Sequence, residues 1–129
     1  MTRRYAVKPL TPEKIVQNAV IAHLDFHGWM VQINKENPQD NSAIGRPDLE
    51  AYRNGFVLFI ENKAPAGVVS PITGRKSRGG KLRKGQPEYH QRLRDAGMTV
   101  WLVDDSEKFL EDLERLEFEL WGIKSRRVI

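Results

Sequence analysis

Hydrophobic positions recur along this chain with two alternating periods. Thr11-Pro12 offers a capping hydroxyl and a proline suited to the first helical position. Ile15, Val16, Ala19, Val20 and Leu24 then return every three or four residues. That spacing predicts a helix with one buried face, closed by Gly28. Trp29 to Ile33 reads as a strand with Trp29, Val31 and Ile33 on one side. From Asn34 to Arg46 the chain is polar and rich in Asn, Asp and Pro, which predicts a loop. Asn54-Gly55 then separates the segment after Asp48 from the apolar, β-prone run Phe56 to Ile60. Both turn residues tolerate the positive φ of a type I′ turn, so a β-hairpin is expected.

No hydrophobic period is present from Ala64 to Gly85, where Gly67, Pro71, Gly74, Gly79 and Gly80 predict a long flexible loop. Helical signals resume at Gln86-Pro87, run through Tyr89, His90 and Leu93 to Ala96, and stop at Gly97. Met98 to Val103 reads as a strand around Trp101, and Ser106 as the cap of a third helix. In that helix Phe109, Leu110, Leu113, Leu116, Glu117 and Leu120 divide between an apolar stripe and a charged exterior. The stripe reads as core packing, and its continuation through Trp121 leaves part of it for another subunit. The expected order is helix, strand, strand, strand, helix, strand, helix. This is an α/β fold with a central mixed sheet of four strands flanked by helices.

Composition narrows the picture. At 129 residues and 40% hydrophobic, the chain can bury one core, so a single domain spanning 1–129 is expected. The absence of cysteine excludes disulfides, thiolate zinc sites and a cysteine nucleophile. Neither a signal peptide nor an apolar run long enough to cross a bilayer is present, so a cytoplasmic protein with no membrane partner is expected. The net charge of +4 suits a polyanionic partner. Its distribution says more: Arg75, Lys76, Arg78, Lys81, Arg83 and Lys84 all fall in the 64–85 segment, which has no acidic residue. A basic segment joining two elements of a candidate site is placed to contact phosphates. His23, His27 and His90 lack metal-ligand spacing and read as structural, although Tyr89 and His90 lie one turn into a helix that starts at the site.

The chemistry concentrates around the hairpin. Glu61 and Lys63, two residues apart at the end of the apolar run, project from the same face, and the hairpin brings Asp48 to that end. Two carboxylates and one ammonium thus meet at the edge of an apolar sheet. Hard divalent cations such as Mg²⁺ take oxygen ligands of this kind, together with water and substrate phosphate. A cation so held polarises a phosphoryl oxygen and activates water, and a neighbouring lysine offsets charge that develops on the phosphate. Read alone, Glu-x-Lys is a common surface ion pair; the hairpin and the preceding Gly-x-Pro-Asp favour the site.

Pro47-Asp48 followed by Glu61-x-Lys63 resembles the PD-(D/E)xK nuclease signature. Gly45-x-Pro47-Asp48-Leu49, Phe59-Ile60-Glu61-x-Lys63, Gln86 opening a helix, Leu93, Gly97 and a strand near Val100 narrow the likeness to the virus-type replication-repair nucleases, the VRR-NUC family, in their stand-alone phage and bacterial form. The likeness runs from about Thr11 to Val103, leaving the helix of about 106–121 outside it. Two departures stand out: Asn62 replaces a small apolar residue, and the 64–85 segment is longer than usual. The resemblance implies a restriction-endonuclease-like core and hydrolysis of DNA with Mg²⁺ or Mn²⁺, leaving a 5′-phosphate and a 3′-hydroxyl. It implies that Asp48, Glu61, the Asn62 carbonyl and Glu13 hold the ion, that Lys63 positions the attacking water, and that Gln86 orients the phosphate or Lys63. Glu13 also has a plain explanation, since a carboxylate in the first turn is favoured by the helix dipole. Stand-alone members resemble homodimeric enzymes that resolve branched DNA, including four-way Holliday junctions. A nucleic-acid-binding module with an idle metal site and a degradative or restriction-type nuclease acting on linear DNA stay open as alternatives.

Overall fold

Thr11 opens the first helix as the pattern predicts, its hydroxyl accepting a hydrogen bond from the Lys14 amide at 3.2 Å. The computed structural model describes residues 10–34, 45–69 and 74–124, with backbone alone for 68, 69, 77 and 78. Most of the polar stretch between Asn34 and Arg46 lies outside the described residues. Helix α1 (Pro12–Phe26) buries Val16, Val20 and Leu24. Ile15, expected on the same face, is exposed, so the buried stripe is a single i, i+4 row. The chain then enters β1 (Met30–Ile33), β2 (Leu49–Arg53) and β3 (Phe56–Asn62). The β2–β3 turn holds Asn54 at φ 49° and Gly55 at φ 79°, the left-handed pair that the Asn-Gly dipeptide predicts.

Two further elements follow where a loop was expected. β4 (Ala66–Val69) and β5 (Lys76–Arg78) form a small antiparallel pair of their own. They carry no alternating apolar pattern, so period gave no sign of them; backbone pairing holds them. After α2 (Gln86–Asp95), β6 (Thr99–Val103) returns to the main sheet, and α3 (Ser106–Trp121) completes the described chain. The sheet order is β1-β2-β3-β6. β1, β2 and β3 pair antiparallel, whereas β3 and β6 run parallel, as a strand–helix–strand crossover requires. The result is an α/β arrangement with a mixed four-stranded sheet and three long helices.

Leu49, Ala51, Leu58 and Ile60 are fully buried with Val20 and Leu24 of α1 and Leu113 of α3 in one cluster. Successive strand residues alternate faces, so Phe59 and Glu61 point the other way, toward α2. From α2 only Gln86 and His90 are buried. The sheet is thus apolar on one face and, at the end of β3, polar but still covered on the other.

Four local expectations need correction. The N-cap of α3 is Asp105, whose carboxylate accepts from the amides of Glu107 at 2.9 Å and Lys108 at 3.3 Å; Ser106 is already helical. β1 does not present one buried side: Trp29 lies buried ahead of it, Val31 is half-buried and Ile33 is exposed, because β1 is an edge strand. Glu117 belongs to the interior, in line with Phe109 and Leu113. Its carboxylate meets His27 Nδ1 at 2.6 Å and Trp29 Nε1 at 3.3 Å, and also accepts from Arg53. Trp121 packs on Trp29 at 5.5 Å with Arg53 over its ring, so it serves the chain's own core. Among the described residues, no helix is long and apolar enough to cross a membrane.

Candidate metal centre

Three separate stretches of chain deliver carboxylates to the same end of the sheet. Glu13 comes from the first turn of α1, Asp48 from the residue before β2, and Glu61 from the end of β3. One oxygen of each lies within 4.8 Å of the other two. Asp48 is held by the backbone of the neighbouring strand: its Oδ2 accepts from the Asn62 amide at 3.1 Å. The hairpin dictates this contact, because Leu49 pairs with Ile60 and so places Asp48 beside the end of β3.

Lys63 follows directly. Its amide donates to the Val103 carbonyl at 2.9 Å, which ties it to β6 just past the end of β3. Its Nζ lies 3.4 Å from Glu61 Oε2 and donates to Gln86 Oε1 at 3.0 Å. That same Gln86 oxygen accepts from the Arg83 amide at 2.6 Å, so the lysine head is set by the N-terminus of α2. Its stem is set by Gly80, where an added Cβ would stand 3.0 Å from both Cβ and Cδ of Lys63. A cavity of about 160 Å³ opens beside it, lined by Lys63, Gly80, Leu82, Leu102, Val103 and Asp104.

Gly45 locks the approach to Asp48 against α2. Its φ is +87°, and a Cβ there would lie 2.2 Å from the carbonyl oxygen of Gly85. Only a residue without a side chain lets these two backbones touch.

The charge balance of the pocket is unfavourable as it stands. Burial, and then the neighbouring Asp48, push the Glu61 carboxyl up to about 7, while Lys63 opposes them. Glu61 Oε1 is buried with no hydrogen-bond partner. An orphaned carboxyl oxygen among three acidic side chains fits a divalent cation, and an all-oxygen donor set suits Mg²⁺ or Mn²⁺. Asn62 is fully buried; its amide N–H serves Asp48, and its side-chain amide has no partner.

Two neighbours of the site were not assigned to it from the sequence: His90, within reach of it but read as structural, and Glu50. His90 is 1% exposed, with Nε2 4.0 Å from Glu61 Oε1. Burial, with Arg94 and Lys63 nearby, lowers its pKa below the ordinary imidazole value. Only its spacing from Gln86, one helical turn, pointed to it. Glu50 shares the strand face of Asp48 and gathers Asn34 at 3.2 Å, Arg46 at 2.8 Å and the Tyr52 hydroxyl. Burial alone would raise its pKa; the hydrogen bonds from Tyr52, Arg46 and Asn34 outweigh that and hold it below the usual value. Its i, i+2 relation to Asp48 was the available sign.

The basic residues are less gathered. Arg75, Lys76, Lys81, Arg83 and Lys84 are exposed along β5 and the segment leading into α2. The side chain of Arg78 lies outside the described residues. No family model matches the chain, and no curated protein matches it.

Proposed function

We propose that this chain is a metal-dependent DNA endonuclease of the PD-(D/E)xK type, built on a restriction-endonuclease-like core and related to the VRR-NUC nucleases. The observation that carries the reading is the meeting of Glu13, Asp48 and Glu61 within 4.8 Å, beside a lysine held 3.0 Å from Gln86. A surface ion pair needs none of this: Lys63, Glu61 and Gln86 are all buried, the first two at the end of β3 and the third at the start of α2.

Glu13, Asp48, Glu61 and the Asn62 carbonyl hold one Mg²⁺ or Mn²⁺, which when bound supplies Lewis acidity toward the scissile phosphate and lowers the pKa of water. The residues of the chain do the rest. Lys63 presents an ammonium to the attacking water and to charge that grows on the phosphate oxygens. Gln86 fixes that ammonium through its side-chain oxygen, leaving its NH₂ to donate to the substrate. The N-terminus of α2 adds the positive end of a helix dipole beside the same phosphate. Asn62 keeps Asp48 in place through its amide. Arg75, Lys76, Arg78, Lys81, Arg83 and Lys84 contact the DNA backbone on either side.

Branched DNA, including four-way junctions, is the substrate class we favour, cut by a homodimer whose paired sites nick opposed strands. Exposed Phe118 and Leu120 give α3 apolar surface outside the core for such a pairing. The test is cleavage of labelled duplex, flap and four-way junction DNA with Mg²⁺, Mn²⁺ or EDTA. Asp48→Ala and Lys63→Ala are run beside the parent, with folding checked by circular dichroism. We expect both variants to bind DNA while hydrolysis falls by orders of magnitude. A Lys63→Ala variant that cuts as fast as the parent would overturn the mechanism, and binding without any cation-dependent product would leave a DNA-binding module.

A further inference from the structure

His90 is a buried side chain at the site with no task in this mechanism. Both ring nitrogens lack a hydrogen-bond partner, and so does Glu61 Oε1, 4.0 Å from Nε2. Two orphaned, fully buried groups of complementary chemistry face each other across that gap. The distance is too long for a hydrogen bond. Nor does His90 belong to the set of groups whose ligand atoms cluster around the cation position; those are Glu13, Asp48 and Glu61. The pair is therefore not hydrogen-bonded at this separation, and the imidazole lies beside the carboxylate and outside the ligand group.

We propose that His90 is a positioning residue for Glu61: its Nε2–H donates to Oε1 and so fixes the carboxylate for the cation. A carboxylate oxygen has lone pairs for both a hydrogen bond and a cation. An anionic acceptor draws an N–H donor to about 2.8 Å, so closing the gap takes a shift of about 1 Å. Such partners behind a ligand set its orientation, and their loss weakens metal binding by about 10- to 100-fold. The inference rests on the cation site proposed above.

Calorimetric titration of the full chain with MnCl₂ separates the two ideas. The proteins are the parent, Glu61→Ala, His90→Leu, His90→Gln and His90→Asn. The glutamine amide nitrogen falls near Nε2, and that of asparagine near Nδ1. We expect His90→Leu and His90→Asn to lose affinity by about 10- to 100-fold and His90→Gln to stay within about threefold of the parent. Unchanged affinity in His90→Leu, beside weakened binding in Glu61→Ala, overturns the role of His90 and leaves the cation site standing. Unchanged affinity in Glu61→Ala overturns both. Rescue by asparagine and not by glutamine overturns the assignment to Nε2. Proton–nitrogen NMR of the ¹⁵N-labelled parent needs no variant to fold. On adding MgCl₂, the His90 Nε2–H signal should move downfield and exchange more slowly with water, and an unmoved signal overturns the proposal.

Discussion

Glu61 sits between opposing influences. Burial and Asp48 favour its protonated form, and Lys63 favours the anion. The folded chain holds the proton up to about pH 7, whereas an exposed glutamate releases it near 4.5. Between those values the unfolded state has lost a proton that the folded state keeps. Stability without added cation therefore falls as pH rises through that window, then levels above it. At about 1.4 kcal/mol per pH unit the upper bound is about 3 kcal/mol. Glu61→Gln, a neutral mimic, should melt higher than the parent at pH 8 and show a flatter melting temperature between pH 5 and 7.5. Mn²⁺ competes with that proton, so its affinity for the parent should climb with pH and plateau above 7. Calorimetry at several pH values checks this, and a pH-independent affinity would contradict it.

At the scale of elements, glycine placement separates strain from collision. Gly45 and Gly55 both have positive φ, +87° and +79°, but only Gly45 is crowded, by the backbone of Gly85 and Gln86. Gly55→Ala should cost roughly 1 kcal/mol, the strain of a left-handed residue alone. Gly45→Ala should cost clearly more, about 2 kcal/mol or above, and should separate Asp48 from Gln86. Chemical denaturation of the two variants tests the contrast; equal midpoints would mean that the close approach does not matter. The same scale shows what could be read from the chain. The Asn-Gly turn, the Thr-Pro cap and the i, i+4 rows were legible because each is a local rule. β4 and β5 were not, because strands of four and three residues among glycines carry no period. Within the site, the order Asp48, Glu61, Lys63 followed from the hairpin. His90 and the Glu50 cluster did not, because burial and distance decide their roles. The Glu117–His27 pair joins residues 90 apart in sequence, beyond the reach of any pattern.

Taken whole, the molecule has a +4 charge whose most concentrated basic stretch adjoins the candidate centre. If Lys81 and Lys84 touch phosphates, replacing each by alanine should weaken binding alike for all sequences. The slope of log affinity against log salt should become shallower by roughly 1 for every phosphate no longer neutralised. Fluorescence anisotropy from low to high NaCl measures it, and an unchanged slope would move the DNA elsewhere on the surface.

The carboxylate trio also bears on the order of events at the ribosome. Its members are drawn from α1, the approach to β2 and the end of β3, and Lys63 is steadied only when the beginning of α2 arrives. A nascent chain that has emerged as far as β2 lacks half of these groups, and no fragment shorter than the hairpin plus both helices assembles them. On the proposed reading, capture of a cation is thereby a late event of synthesis, and its escape would be an early sign that the native chain is coming apart.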